Sequence, residues 1–513
     1  MPRDGDGFDA EEAVREARQH RFDHVRAQAE ALTKDATPED IDAVVAEAAA
    51  FSATAERQIH NIVKQRTGLP FSVLKAAKAQ ASDDDEGSDH LVLARSIVEN
   101  IGADNIIGTS AHLWTYDGTI WEPLEPRGER HLVQSHLGDQ AERPVTKGLV
   151  DSVADVLRND VYRPNHAFNV GPEDAIPTPN GELTLANDGT WRLDPHCREH
   201  YRTTRVPVEY DPTADCPRFR QFLDEVFASD PDKDDKARVV LELIGYSLVA
   251  HTRYERFVIL VGEGSNGKSV LLSIVEAVIG SENVSGVQPH QMDRTFQRAH
   301  LHRKLANIVT EIRQGEVIAD AELKSITSGE STTVEHKFRD PFVLSPFATC
   351  WFGTNHLPAT RDFSDALFRR AVILEFNRKF EDDGDKDPYL KQKLRAELPG
   401  ILNAALAAYA NVVTTGKFTE PQSSLDAKDQ WRLESDQVQQ FIEAKCENAP
   451  DGWVAVRRLY QSYREWAGDA GIKHTLTEKS FSQRICRLGY AKEKRGTGMG
   501  FCGVAIQSGT NDG

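Results

Sequence analysis

The stretch FVILVGEGSNGKS, Phe257 to Ser269, decides the fold of this chain. An apolar run ends at Gly262, and Gly262 through Ser269 completes the pattern GxxxxGK[ST]. The run predicts a buried strand, and the spacing after it predicts an amphipathic helix from Val270 to Val278. Between them, Gly262, Gly264 and Gly267 leave room for backbone amides, Asn266 included, to turn toward phosphate oxygens at a helix N-terminus. In such a loop Lys268 reaches the β- and γ-phosphates of ATP as a point charge, and the Ser269 hydroxyl ligates the Mg²⁺ that bridges them.

Working outward, a chain of 513 residues implies two to four domains with ample material for a core. No apolar run approaches the length of a membrane span, and the N-terminus MPRDGDGFDAEEAVREARQ lacks the basic start and apolar core of a signal peptide. No membrane association is expected, and an intracellular, cytoplasmic setting is. Six cysteines, Cys197, Cys216, Cys350, Cys446, Cys486 and Cys502, form no CxxC pair, and 17 histidines show no metal-ligand spacing. The formal charge of −19 reflects 80 acidic against 61 basic residues and, taken as a sum, speaks against a nucleic-acid partner. Distribution matters more than the sum. Acid crowds the N-terminal region, with a run at Asp83, Asp84, Asp85 and Glu86, whereas Asp451 to Ile506 holds ten Lys or Arg against five Asp or Glu.

The organisation reads as a helical, partly disordered appendage over 1–82 closed by an acidic linker. A domain over 90–250 follows, strands and turns first and helices after, with turn signals at Asp117-Gly118, Asn180-Gly181 and Asp188-Gly189. The α/β nucleotide core spans 251–385, a helical lid or linker 386–432, and a small unit 433–513. In that unit two amphipathic helices, Ser435 to Ala444 and Val456 to Trp466, precede a third with Phe481, Ile485 and Leu488 on one face. Lys479, Gln483, Arg484 and Arg487 lie on the other face, and a glycine-rich hairpin bearing Lys492, Lys494 and Arg495 follows. Three helices and a basic hairpin resemble a winged helix, a fold that serves DNA or protein contacts.

Three features follow the loop. Lys304 to Ile312 reads as a strand ending in Glu311, a carboxylate placed to polarise water or to hold Mg²⁺. Pro346 to Asn355 is a second apolar run, ending in an amide suited to sensing the γ-phosphate. Asp365 to Phe376 places Arg369 and Arg370 just before a strand, where one of them can reach a neighbour's nucleotide.

In that order, GEGSNGKS, NIVTEIRQGEVIADAELKSITSGESTTVEHKFRDPF and FGTNHLPATRDFSDALFRR resemble the superfamily 3 helicases, in the phage and plasmid primase-helicase branch related to the poxvirus primase-helicase. The resemblance covers about residues 90 to 510. It implies an AAA+-like core that forms a homo-oligomeric ring, usually a hexamer, and moves 3′ to 5′ on single-stranded or forked DNA. It puts Lys268 and Ser269 in Walker A, Glu311 in Walker B, Asn355 at sensor 1, and Arg369 or Arg370 at the trans-acting finger. A DNA-tracking hairpin falls on Lys324 and on Val334 to Arg339, where His336, Lys337 and Phe338 combine charge with a stacking face. Primase chemistry needs a folded acidic domain, and about 80 residues before the linker are too few. Primer synthesis would fall to a separate primase or polymerase. The expected role is replication of a phage, plasmid or integrated element, with the host cytoplasm as its setting. A replication initiator that binds DNA and nucleotide without processive unwinding is the alternative.

Overall fold

The computed structural model describes residues 10–48, 50–69, 89–140, 145–313, 315–337, 341–360, 365–380, 387–470, 472, 475–496 and 498–507. The run Phe257–Val261 forms strand β1. With β2 (Val284–Ser285), β3 (Ala306–Val309), β4 (Thr349–Thr354) and β5 (Ala371–Glu375) it builds an all-parallel sheet in the order β5-β1-β4-β3-β2. Strands covered on both faces read as near-continuous apolar runs, as FVILV does, while ANIV is interrupted by Asn307, whose buried amide bonds the Val287 backbone. Val258 and Leu260 enter one core with Leu271, Val275 and Trp351, while Phe257 and Ile259 enter another with Phe352, Ile373 and Trp431. That division follows from the alternation of side chains along a strand. The register brings carboxyl ends level, with Val261 opposite Thr354 on one side and Glu375 on the other.

Helix Lys268–Ile279 follows the loop and begins two residues earlier than the periodicity predicts, because the glycine turn ends at Gly267. Helices Pro217–Val226 and Lys233–Tyr246 fill the section expected to be helical before β1. Among the described residues one helix, Leu398–Thr415, is long and apolar enough to cross a membrane, a length the sequence reading had not credited. Its Ile401, Leu402, Leu406 and Tyr409 lie in the first core.

The chain divides into two units, Met1–Thr115 with Pro123–Asn165, and Tyr116–Glu122 with His166–Gly513. In the first unit, helices Ala10–Ala31, Pro38–Ala48 and Ala53–Thr67 enclose Val25, Val45, Ile59 and Val63. The acidic run at Asp83 to Glu86 lies outside the described residues. Helices Pro126–Gln140 and Lys147–Asp160 occupy part of the stretch read as strands and turns. Leu157, Ala154, Val153 and Val150 recur there at helical spacing and are buried together, a period the turn signals obscured. In the second unit, Ala175–Thr178, Gly181–Leu185 and Trp191–Asp194 form the antiparallel sheet that two of the turn signals predicted.

Residues after Ser435 pack around Phe441, Leu459, Tyr463, Phe481 and Ile485. Helices Gln437–Lys445, Val456–Asp469 and Glu478–Arg487 carry this core, with an antiparallel sheet of Cys446–Ala455, Gly498–Ile506 and Lys492–Arg495 in that spatial order. No element is assigned to Cys446–Ala455 from sequence; it forms a strand that carries the turn-forming residues Asn448, Pro450, Asp451 and Gly452. The register shift between Asn448 and Trp453 absorbs them as a bulge.

Candidate nucleotide and nucleic-acid site

The Gly262–Ser269 loop is built against the ends of two neighbouring strands. The Gly262 amide donates to the Thr354 carbonyl at 3.2 Å, which sets the loop's first residue beside the end of β4, one position before exposed Asn355. On the other side the Phe376 amide donates to Val261 O at 2.8 Å and the Phe380 amide to Ser265 O at 2.8 Å. A Cβ on Gly262 would land on the Asn266 amide and the Phe376 carbonyl, so only glycine lets the loop close this tightly.

Lys268 is buried, and its ammonium donates to Gly262 O and to Asn266 Oδ1, the latter at 3.1 Å. Asn266 in turn donates from Nδ2 to Phe376 O at 3.2 Å. Burial pushes the Lys268 pKa down, and the negative charge of Glu311 opposes that fall. Glu311 is therefore within electrostatic reach of the loop lysine. It is exposed and lies two residues beyond β3, which ends at Val309 rather than running to Ile312. The Ile312 amide still donates to Gly353 O at 2.9 Å, and a Cβ on Gly353 would strike the Thr310 carbonyl. Gly353 thus permits the β3 extension to approach β4, and Thr310, Glu311 and Asn355 gather at the same sheet edge as the loop. That edge, at the carboxyl ends of the strands, is where open α/β sheets bind ligands.

A lysine with only carbonyl partners in an amide-lined cradle suits a polyphosphate, and exposed Ser269 and Glu311 would hold the accompanying magnesium. Among the described residues no group of three or more His, Cys, Asp or Glu forms a metal site of its own.

Arg369 and Arg370 lie at the opposite edge, before the start of β5. The two differ. Arg370 keeps 9% of its side chain exposed, pairs with Glu255 at 2.6 Å and donates to Ala366 O and Ser328 Oγ, each at 2.7 Å. Arg369 is 60% exposed and touches Glu255 only at 3.6 Å.

Strands Thr332–Val334 and Phe342–Leu344 pair antiparallel as a hairpin after helix Asp320–Thr327, which carries half-buried Lys324. Lys337 is exposed in the turn, and the His336 ring stacks on Phe342 at 5.4 Å. Phe338 lies outside the described residues. In the last unit Lys479, Arg487, Lys492, Lys494 and Arg495 are exposed, and Lys492 sits over the Phe501 ring. Arg484 is engaged inward: its Nε donates to Asp436 Oδ2 at 2.7 Å, and Asp436 is fully buried and caps helix Gln437–Lys445. The apolar face of the third helix was legible, but this ion pair was not, since its partner lies 48 residues away.

Sequence reasoning also missed Phe376 to Phe380, the segment that braces the loop from β5. Nothing in FNRKF marks it, since its contacts with the loop are made by backbone atoms. By comparison with known proteins, residues 94–228 match a family model described as "D5 N terminal like", and residues 260–370 one described as "Family of unknown function (DUF5906)". A curated relative, "Putative helicase L207/L206" of Acanthamoeba polyphaga mimivirus, is 23% identical over 269 residues. The match takes in 46% of this chain and 27% of the relative, so the chain spans about a quarter of that protein's length. The apo structure of the NrS-1 C terminal region in its A form is 13% identical, covering 79% of this chain and 97% of that one with a TM-score of 0.44. A further apo structure of the region is also 13% identical, covering 81% and 99% with a TM-score of 0.43. By its D5 N terminal like segment and the mimiviral relative named a helicase, the chain is similar to phage-type primase-helicase proteins.

Proposed function

We propose that this chain is an ATP-dependent DNA helicase of the superfamily 3, AAA+-like kind, acting as a homo-oligomeric ring in replication of a mobile or viral element. One observation carries the reading: the Lys268 loop, Glu311 and Asn355 meet at one sheet edge, while Arg369 stands exposed at the other. A single chain cannot bring that arginine to its own loop, whereas a neighbour in a ring can.

In this reading ATP lies with its phosphates on the loop amides, and Lys268 leaves the Gly262 carbonyl to meet them. Magnesium, held by Ser269 and Glu311, would neutralise charge on the phosphates. Glu311 also orients the attacking water and takes its proton, and Asn355 reports the state of the γ-phosphate to β4. Arg369 of an adjacent subunit stabilises the charge that develops on transfer. Lys337 contacts backbone phosphate, and the exposed cations of the last unit, a winged-helix-like module, add sequence-tolerant affinity.

Hydrolysis of ATP by the purified chain tests this reading. Turnover should require Mg²⁺ and disappear in Lys268→Ala. Full turnover in that variant would refute it.

A further inference from the structure

Beneath the β5 side of the loop lies a lysine with no exposure at all. Lys236 belongs to helix Lys233–Tyr246, where Val239, Val240 and Leu243 share its buried surroundings. Its ammonium bonds Asp230 Oδ2 at 2.9 Å and Glu375 O at 3.1 Å, and lies 5.5 Å from the centre of the Phe227 ring. The other Asp230 oxygen accepts from Asn377 Nδ2 at 2.9 Å. The pair therefore grips the chain on both sides of Phe376, at the carbonyl of residue 375 and the side chain of residue 377. Phe227 packs on Phe376 itself, with ring centres 5.1 Å apart.

Burying such a pair costs desolvation free energy that well-packed apolar residues would not, so its presence calls for a reason beyond packing. The bonds it controls supply one. Phe376 O is the acceptor that orients Asn266, and with Nδ2 committed there, Oδ1 must face Lys268. The path from Lys236 to Lys268 runs by a hydrogen bond to the Glu375 carbonyl, along the backbone to Phe376, and by hydrogen bonds from the Phe376 carbonyl through Asn266 to Lys268.

We infer that Asn266 is a positioning residue for Lys268, and that the buried Asp230–Lys236 pair, outside the loop and its family pattern, sets Asn266 through the Phe376 carbonyl. The inference rests on the reading of the loop as an ATP site. Asn266 keeps the ammonium over the cradle and at the right height to exchange a carbonyl for a phosphate oxygen. The segment before β1 thereby acts on the hydrolytic site without touching nucleotide.

ATP hydrolysis by the full chain tests it through a double-mutant cycle. Asn266→Ala removes one charge-assisted bond to Lys268 and should lower kcat/KM by about tenfold or more. Asp230→Asn should lower it about three- to tenfold in the native background, yet by less than about twofold when added to Asn266→Ala, because the path is already cut. Where Asp230→Asn folds poorly, Asn377→Ala replaces it, since Asn377 is exposed and its loss only loosens Asp230. An equal fold-loss in both backgrounds would overturn the inference and leave the pair a support of the fold. Unchanged kcat/KM in Asn266→Ala would overturn it too. Lys268→Ala keeps the two levels apart: if it abolishes turnover while Asn266→Ala leaves kcat/KM unchanged, only this inference fails.

Discussion

Replacing Arg369 and Arg370 separately by alanine should give two different proteins, although the residues are adjacent. Arg370 holds an ion pair of 2.6 Å to a Glu255 that is 36% exposed, and two hydrogen bonds of 2.7 Å from a side chain 9% exposed. A charged donor to a protein acceptor contributes about 1.5 kcal/mol net, and a half-solvated pair less than about 1 kcal/mol, so Arg370→Ala should cost roughly 3 kcal/mol. With a urea dependence near 3 kcal/mol per molar for a unit this large, the midpoint should fall by about 1 M. Buried Trp351, in β4, and buried Trp431, whose ring packs on Phe368, report the transition by fluorescence. Arg369, 60% exposed with one contact at 3.6 Å, contributes between about 0 and 1 kcal/mol, and its midpoint should hardly move. Its loss should instead lower ATP turnover by roughly 10³, the scale of an arginine supplied in trans. Mixing Arg369→Ala with Glu311→Gln subunits should restore part of that turnover, since some interfaces then carry both groups. Turnover within threefold of native in Arg369→Ala, or an Arg370→Ala protein that loses turnover with no shift in midpoint, would refute the assignment.

Arg484→Ala should destabilise the last unit by about 3 kcal/mol by stranding buried Asp436, yet leave the salt dependence of DNA binding unchanged. Lys492→Ala should instead flatten the slope of log K against log salt by about 1, measured by anisotropy with labelled single-stranded DNA. Lys337→Ala should abolish stimulation of ATP turnover by DNA while sparing basal turnover, and loss of basal turnover would mark the hairpin as structural. Burial raises the Asp174 pKa, but hydrogen bonds from His251, Tyr409 and Arg253 outweigh it and bring the carboxyl to about 2 against its ordinary 3.8. A depressed carboxyl stabilises fully above the unfolded value, so Asp174 should contribute about 1–2 kcal/mol above pH 4 and lose it as pH falls toward 2. Asp174→Asn should flatten acid unfolding in that window, and an unchanged acid profile would contradict the ion network.

The parts legible in the sequence were those written in local pattern. FVILV followed by GEGSNGKS announces strand, loop and helix at once, and the hairpins at Asn180 and Asp188 declare their turns. Glu311 and Asn355 were placed by the ends of apolar runs, though β3 stops short of Glu311 and backbone pairing with Gly353 completes the approach. Contacts distant in sequence left no such trace. Nothing near Arg484 names Asp436, and Arg370 is set apart from Arg369 by its bonds to Ala366 and Ser328 and its closer pairing with Glu255. The one anomaly open to reading was Lys236, a lysine at helical spacing with Val239, Val240 and Leu243, where an apolar residue would be expected. Helices Pro126–Gln140 and Lys147–Asp160 were overlooked because turn-forming residues around them dominated the pattern.

The central claim is that ATP hydrolysis at the Lys268 loop drives separation of DNA strands. Strand displacement from a forked duplex, followed by the fluorescence of a released labelled strand, measures it directly. The native chain should release the strand only with ATP and Mg²⁺, and Lys268→Ala should release none. DNA binding and ATP turnover without displacement would contradict the claim and leave a nucleotide-regulated DNA-binding initiator in its place.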